Sequence, residues 1–236
     1  MAVAAGAAGA LAVLLAGCLP QPASTQGASI ASLYQVFIAG GVVVTAIVWG
    51  LATWALIRYR RRGDELPTQV RGNVPIEAIW TLTPLVAVLG LFALTLGSLQ
   101  VVDANDPSAV QLDVTAFRWG WQVTYPSNGR TVSSLTGGSV AIVVPTDRRI
   151  QISLSSADVN HAFFVPAFLF KKDAIPGRPT SFEIDVPNAG TYPGACAEYC
   201  GIGHDAMPFT IVAVSGSTFD AWLATGHLAG EGAPSP

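Results

Sequence analysis

Two cysteines, a histidine and a methionine lie within twelve residues near the C-terminal end of this 236-residue chain. The segment CAEYCGIGHDAM runs from Cys196 to Met207 and contains Cys200 and His204. A second histidine, His161, lies upstream. Thiolate, thioether and imidazole groups favour copper or zinc over magnesium or calcium. The segment therefore predicts a site for a soft metal ion.

Counting the ligands gives three interpretations of this segment. A mononuclear blue-copper site uses two His, one Cys and a weakly bound Met, and this chain offers one cysteine more, so two sulfurs could bridge two metal ions. A zinc site with two Cys and two His would leave Met207 without a role. A disulfide between Cys196 and Cys200 suits an oxidising compartment, but it would leave His204 and Met207 as chance neighbours. The ligand set favours copper.

Two long apolar runs precede this segment. Of all residues 51% are hydrophobic and only 11% are charged, whereas soluble domains average about a quarter charged. The runs cover residues 30–57 and 76–99, and each exceeds the roughly 20 residues of a membrane-spanning helix. The loop between them is basic, as cytoplasmic loops are, with Arg58, Arg60, Arg61, Arg62 and Arg71. We predict a transmembrane hairpin over residues 30–100 and an extracytoplasmic location for the chain from Val101 onward.

Residues 1–17 are apolar and lead into Leu15-Ala16-Gly17-Cys18, which resembles the lipobox of bacterial lipoproteins. The stretch lacks the Lys and Arg usual in a signal peptide, so an apolar N-terminus with an incidental cysteine is the alternative. The odd total of three cysteines favours lipidation, because it leaves one thiol to explain. We predict a signal peptide over residues 1–17, lipidation of Cys18 and a linker over residues 18–29.

The rest of the chain is patterned as short strands separated by turn-forming residues. The runs cover residues 110–117, 121–125, 139–145, 150–155, 181–186 and 208–214. Such spacing predicts an antiparallel β-sandwich or barrel, here over residues 101–227. A short helix capped by Ser217, with Asp220 completing the capping box and Gly226 at its end, should close the domain. The tail, residues 228–236, is predicted to be disordered. Neither a basic patch typical of nucleic-acid binding nor a C-x-x-C-H haem attachment motif occurs.

Several motifs along the chain resemble subunit II of the haem-copper cytochrome c oxidases, in a lipoprotein-type bacterial form. They are the helical hairpin, EAIWT from Glu77, the pair Trp119 and Trp121, DVNH ending at His161, KDAIPGR ending at Arg178, and the cysteine segment. The resemblance implies a cupredoxin-like Greek-key sandwich after the hairpin. It also implies a multi-pass protein of the bacterial cytoplasmic membrane, with the copper domain on the extracytoplasmic side.

The resemblance further implies a dinuclear copper centre with two copper ions. Its ligands would be His161, Cys196, Cys200, His204, Met207 and the backbone carbonyl of Glu198. The Glu198 side chain would reach a magnesium ion shared with subunit I. Electrons would come from a c-type cytochrome through Trp119 and pass to the haems of subunit I, where oxygen is reduced and protons are pumped. Glu77 would open a proton-uptake path, although an acid in the first turn of a helix is also favoured by the helix dipole.

Three rival functions share parts of this pattern. A quinol-oxidase subunit II has the same architecture without the copper ligands. The copper domain of a nitrous oxide reductase lacks the helical hairpin, and a membrane lipoprotein with a disulfide would bind no copper. Among the other residues, Trp121 is predicted to fill the core and His227 to lie at the surface. Asp158 and Arg178 are predicted to support the site without binding metal.

Overall fold

The computed structural model describes residues 19–61, 63, 72–134 and 138–228, which fall into two compact units. One unit is residues 32–97. The other joins the N-terminal segment up to Ala31 to the chain from Ser98 onward. Cys18, the predicted signal peptide, most of the arginine-rich loop and the tail beyond residue 228 lie outside the described residues.

Two long helices account for the apolar runs. Helix α1 spans Thr25–Arg58 and helix α2 spans Val74–Val102. Both are long and apolar enough to cross a membrane, and their apolar side chains are exposed on all sides, as expected for helices that face lipid. Helix α1 begins five residues before the apolar run does, because polar residues near its start pack on the second unit.

The N-terminal end of α2 is closed by the side chains of Asn73 and Glu77, which accept hydrogen bonds from backbone N–H groups. Asn73 Oδ1 accepts a hydrogen bond from the backbone N–H of Ile76 at 3.3 Å. Glu77 Oε1 accepts from the backbone N–H of Asn73 at 3.1 Å. These two contacts satisfy N–H groups that have no partner inside the helix.

The second unit is a sandwich of two five-stranded sheets, with the orders β3-β2-β1-β5-β8 and β4-β10-β9-β6-β7. The strands of the first sheet, in chain order, are β1 Val110–Phe117, β2 Gly120–Tyr125, β3 Arg130–Ser133, β5 Ile150–Ser156 and β8 Thr180–Ile184. Those of the second are β4 Val140–Pro145, β6 His161–Val165, β7 Phe170–Ala174, β9 Gly190–Cys196 and β10 Phe209–Val214. The predicted hairpin and sandwich are confirmed.

The sandwich differs from the prediction in two respects. It is mixed rather than antiparallel, because β1 pairs in parallel with β5 and β10 in parallel with β4. The sequence runs also do not predict β3, β6, β7 and β9. Strand β9 contains Gly190, Pro193 and Gly194, which are poor strand formers. Gly194 is required there, because the ring of Phe209 occupies the space that a Cβ atom would need.

Aromatic rings fill the core directly beneath the cysteine segment. Trp121 is fully buried, and its ring centre lies 5.9 Å from that of Phe163 and 5.1 Å from that of Phe209. Phe163 and Phe209 stack at 4.3 Å. The Trp121 N–H donates to the backbone carbonyl of Met207 at 2.9 Å. The core position predicted for Trp121 is confirmed, and its one polar atom holds the end of the loop that carries the predicted metal ligands.

A short helix, α3, spans Gly216–Thr225 and closes the sandwich. Its N-terminal cap is Ser215, whose hydroxyl accepts from the backbone N–H of Thr218, so the predicted cap at Ser217 is wrong by two residues. Asp220 does not complete a capping box, because its carboxylate pairs with Arg148 at 2.8 Å. The predicted end at Gly226 is confirmed by its left-handed φ of 86°.

Residues just ahead of the first apolar run are fixed on the sandwich. The backbone N–H of Ala23 donates to the carbonyl of Ala167 at 2.8 Å, and that of Thr25 donates to the carbonyl of Asp185 at 3.0 Å. The buried side chain of Gln26 accepts from the backbone N–H of Asp185 at 3.0 Å. This part of the segment predicted as a linker is therefore ordered against the sandwich.

Candidate metal centre

Two neighbouring strands and one loop bring the predicted ligands together. Strand β6 begins at His161 and strand β9 ends at Cys196, and the two strands pair through Phe163 and Cys196. The loop that follows β9 carries the remaining ligands, with a short 3-10 turn over His204–Ala206. It returns to the sheet at β10. The sheet therefore fixes two ligands, and the loop folds the other ligands over them.

The donor atoms form two groups. Cys196 Sγ lies 3.8 Å from Nδ1 of His161 and donates to the carbonyl oxygen of Glu198 at 3.2 Å. Cys200 Sγ lies 3.6 Å from Nδ1 of His204 and 3.5 Å from the thioether sulfur of Met207. The ligand atoms of His161, Cys196 and Cys200 all lie within 4.8 Å of one another. Each thiol thus lies beside an imidazole and a weak donor, and the two groups adjoin. Both thiols are free.

His161 is completely buried and held by a carboxylate. Its Nε2 lies 3.0 Å from Oδ1 of Asp158, which leaves Nδ1 to face the thiols. Asp158 also accepts from the backbone N–H of Val159, and from the backbone N–H and side chain of Arg118 at 2.8 and 3.2 Å. Partial burial opposes ionisation of this carboxyl, but the hydrogen bonds lower its pKa to about 2. A metal-binding histidine is commonly oriented in this way.

The two thiols differ in acidity. Burial disfavours the thiolate of Cys196, but hydrogen bonds with His161 and the backbone outweigh it and lower its pKa. Burial raises the pKa of Cys200, and the negative charge on Cys196 raises it further. In the absence of metal, Cys196 therefore ionises first and Cys200 retains its proton. Binding a metal to both sulfurs must release that proton.

Trp119 lies in the turn between β1 and β2. Its indole N–H donates to the backbone carbonyl of Cys200 at 3.3 Å. The ring packs on the backbone of Gly201 and Gly203, where added Cβ atoms would lie 3.2 and 2.6 Å from it. The indole is half-buried and touches the loop that carries the ligands. Arg118, which binds Asp158, was not predicted from the sequence, although it directly precedes Trp119.

The two ends of Glu198 face in different directions. Its backbone carbonyl points to Cys196, whereas its side chain is 43% exposed and pairs with Lys171 at 2.9 Å. Lys171 also pairs with Asp173 at 3.0 Å, and hydrogen bonds to these two carboxylates raise the pKa of Lys171. The carboxylate of Glu198 is therefore available to a group outside the thiol cluster.

Other predicted residues are not part of this cluster. Glu77 belongs to the helical unit, where it caps α2. His227 is exposed beyond α3, as predicted. Arg178 lies in an exposed turn bridged to Ile175. Cys18 falls outside the described residues.

Comparison with known proteins agrees with this geometry. Residues 13–101 match the family model described as cytochrome C oxidase subunit II, transmembrane domain, and residues 118–214 match that of the periplasmic domain. A probable cytochrome c oxidase subunit 2 of Streptomyces avermitilis is 30% identical, over 87% of this chain and 77% of the relative. The chain belongs to the cytochrome c oxidase subunit II family.

Another relative and a solved structure are also similar to this chain. Cytochrome c oxidase subunit 2 of Thermostichus vulcanus is also 30% identical, over 87% of this chain and 77% of the relative. The crystal structure of the periplasmic domain of subunit II from Bradyrhizobium japonicum is 34% identical, with a TM-score of 0.46, over 50% of this chain and 94% of that one.

Membership of the cytochrome c oxidase subunit II family makes the chain the electron-accepting subunit of a respiratory oxidoreductase in a membrane. The two apolar helices are its transmembrane domain, and the sandwich is its extracytoplasmic domain. The buried cluster of one histidine and two cysteines suits copper, because thiolate and imidazole are the donors that copper prefers. The residues present therefore fit the metal that the family implies.

Proposed function

We propose that this site holds two copper ions in a dinuclear, mixed-valence centre, which receives electrons from a c-type cytochrome. The observation that carries the proposal is the division of the donors into two groups. His161 and the Glu198 carbonyl accompany Cys196, while His204 and Met207 accompany Cys200. A mononuclear blue-copper site would use both imidazoles and Met207 but would leave one thiol unused.

Bound copper would supply one-electron chemistry, and the chain's own residues favour rapid transfer. Six donors would hold the two ions: the side chains of His161, Cys196, Cys200, His204 and Met207 and the backbone carbonyl of Glu198. The ligands are held by paired strands, by the Trp121–Met207 hydrogen bond and by the Asp158–His161 hydrogen bond. A rigid ligand set of this kind limits rearrangement when the charge changes. Because the protein supplies all the donors, the site has no position for a substrate.

Two residues beside the centre, Trp119 and Glu198, indicate its partners. We infer that electrons arrive through Trp119, whose ring touches the loop and whose N–H binds the Cys200 carbonyl. They leave for the haems of subunit I, where oxygen is reduced to water and protons are pumped. The Glu198 carboxylate would bind a magnesium ion shared with subunit I. In this structure the Lys171 ammonium group forms an ion pair with that carboxylate, and a magnesium ion would replace the ammonium group there.

Two further assignments lie away from the centre. We propose that Glu77 opens a proton-uptake path into subunit I, since an ionisable group in a membrane helix is a functional candidate. One of its carboxylate oxygens accepts a hydrogen bond from the backbone N–H of Asn73. We also propose that residues 1–17 are removed and that Cys18 is lipidated. Mass spectrometry of the assembled complex decides this, because an intact Met1 would contradict it.

Metal content and electron paramagnetic resonance test the dinuclear centre. Subunit II loaded with copper should hold two ions per chain and show hyperfine splitting from one electron shared by two copper nuclei. Cys200→Ser should lose this shared signal, while Ser181→Ala on the outer face of β8 is a control that should keep it. One ion per chain in the unaltered protein, or preferential binding of zinc after copper loading, would rule the centre out.

A further inference from the structure

The two imidazoles of the metal site are supported in different ways. His161 is completely buried, and the Asp158 carboxylate holds its Nε2 at 3.0 Å. His204 is only half-buried, and its Nδ1 lies 3.6 Å from Sγ of Cys200. Among the described residues, no carboxylate forms an ion pair with the His204 ring. Because a metal-binding histidine usually has a second neighbour that orients it, a different kind of group should orient His204.

Two glycines bend the loop on which His204 lies. Gly201 has a φ of 120°, a backbone conformation that favours glycine. Gly203 lies against the Trp119 ring, where an added Cβ atom would be only 2.6 Å away. The backbone N–H of His204 donates to the carbonyl of Gly201 at 3.1 Å. This turn fixes the backbone of His204 and directs its ring back towards the start of the loop.

Tyr199, at the start of the loop, is the aromatic neighbour of this imidazole. The centres of the Tyr199 and His204 rings lie 5.8 Å apart, and the ring planes are inclined at 63°. Aromatic pairs prefer such an edge-on arrangement. Tyr199 is 77% exposed, so its ring contacts the imidazole on one side and solvent on the other. Trp121 meets the His161 ring in a similar contact at 6.3 Å, so both imidazoles have an aromatic neighbour.

The backbone on both sides of Tyr199 is held in place. The carbonyl of Glu198 accepts a hydrogen bond from the thiol of Cys196 at 3.2 Å. The carbonyl of Cys200 accepts one from the indole N–H of Trp119 at 3.3 Å. The Tyr199 ring therefore extends from a fixed backbone, as a side chain must if it is to orient a neighbouring ligand.

We propose that Tyr199 is a positioning residue for His204 and thereby sets part of the reduction potential of the metal centre. Its ring restricts rotation of the imidazole and keeps water from that side of the donors. The proposal rests on the proposed function and deepens it, because it names a residue that tunes the centre without binding metal. Asp158 holds one histidine through a hydrogen bond, and Tyr199 holds the other through ring packing.

Removal of the Tyr199 ring should lower the reduction potential. The oxidised centre carries one more positive charge than the reduced centre, and water stabilises the more highly charged form. Solvent access is one of the factors that set the potential of a metal site. Tyr199→Ala opens one side of His204 to water, so the equilibrium with a redox partner should shift about threefold towards the oxidised centre. For a one-electron couple this shift equals about 30 mV, at about 59 mV per tenfold change.

The first experiment measures the reduction potential of the copper-loaded full chain by a redox titration followed through its copper absorption. Tyr199→Phe keeps the ring and loses only the hydroxyl, so it should keep the potential of the unaltered chain, whereas Tyr199→Ala should lower it. Ile202→Ala is the matched control, because it removes exposed apolar surface from the same loop without removing a ring. An unchanged potential in Tyr199→Ala overturns the proposal. An equal fall in Ile202→Ala also overturns it, since exposure of the loop alone would then explain the effect.

A measurement without copper separates this proposal from the proposed function. The chain has three histidines, so isotope labelling of histidine gives a simple NMR spectrum of the metal-free full chain. The Tyr199 ring current should shift the His204 ring signals, and Tyr199→Ala should abolish that shift while Tyr199→Phe retains it. A chain that shows the shift but holds no copper would contradict the proposed function and leave Tyr199 as the residue that positions His204. A chain that holds copper without the shift would overturn the Tyr199 proposal alone.

The variants should fold, because Tyr199 is largely exposed and substitutions at exposed positions usually change stability little. Thermal unfolding of the metal-free chain checks this. If Tyr199→Ala does not fold, Tyr199→Leu takes its place, since leucine keeps apolar bulk but has no ring. Tyr199→Leu should lose the shift of the His204 signals, and a shift that persists in this variant overturns the proposal.

Discussion

The Asp158 carboxylate joins a predicted copper ligand to the surface beside Trp119. One oxygen lies 3.0 Å from Nε2 of His161, and the other accepts from the backbone N–H of Arg118 at 2.8 Å. The imidazole is completely buried, so this contact fixes which of its nitrogens can reach the metal. The orientation of one ligand therefore depends on a residue that does not bind the metal.

Replacing Asp158 by Asn should weaken copper binding by about 10 to 100-fold, the usual cost of losing the partner of a metal-bound histidine. The amide is neutral and can turn its NH₂ group towards His161, so the ring is held less firmly. Copper affinity and the hyperfine splitting of the copper signal measure the effect. Asp205→Asn removes an exposed acid from the loop between β9 and β10 and should leave both unchanged. Equal effects of the two variants would show that only net charge matters.

Copper loading should become weaker as the pH falls. The pKa of Cys200 is raised by burial and by the charge on Cys196, so its thiol keeps a proton at neutral pH without metal. Metal binding must displace this proton, and acid therefore opposes binding by about tenfold per pH unit for each proton released. Competition with a chelator at several pH values measures the slope. Cys200→Ser should lower the slope, and an affinity independent of pH would contradict the expectation.

Met207→Leu should alter the copper centre without unfolding the domain. Leucine has nearly the volume of methionine, and such swaps in a core usually cost less than about 1.5 kcal/mol. The backbone carbonyl of Met207 keeps its hydrogen bond from Trp121, so the loop should stay in place. The reduction potential and the rate of electron transfer to haem should change while copper still binds. If neither changes, Met207 is not a ligand.

Trp119→Phe should slow reduction by a cytochrome and leave the copper absorption unchanged. Phenylalanine keeps an aromatic ring against Gly201 and Gly203 but loses the N–H that binds the Cys200 carbonyl. Stopped-flow reduction by cytochrome c is compared with reduction by a small donor. Slowing of the cytochrome alone supports electron input at Trp119. Equal slowing with an altered spectrum would mean that Trp119 only supports the fold.

Glu77→Gln should slow oxidase turnover and proton pumping while leaving copper reduction at its normal rate. The amide oxygen of glutamine can still accept from the backbone N–H of Asn73, so the start of α2 is kept. Only the exchangeable carboxyl proton is lost. Glu77→Ala removes the cap as well and serves as the comparison. Full turnover by Glu77→Gln would leave Glu77 with the capping role alone.

The sequence by itself determined the structural features that depend only on residues close together in the chain. Length and apolarity define the two membrane helices, because a span needs only about 20 apolar residues in a row. Most of the metal ligands can be identified from the sequence, because Cys196, Cys200, His204 and Met207 lie close together in the chain. Strands with regular alternation, such as β1, are also predictable from the chain. Strands rich in Gly and Pro, such as β9, are not, because only their neighbours in the sheet make them extended.

The tertiary structure alone decided how these parts meet. It pairs His161 with Cys196 across two strands and His204 with Cys200 within the loop. It also places Trp119 on a carbonyl 81 positions away along the chain. Such contacts depend on strand register and on the path of loops, which distant residues fix together. The sequence therefore names the donors, whereas packing of the sheets sets their distances and determines which neighbouring side chains orient and neutralise them.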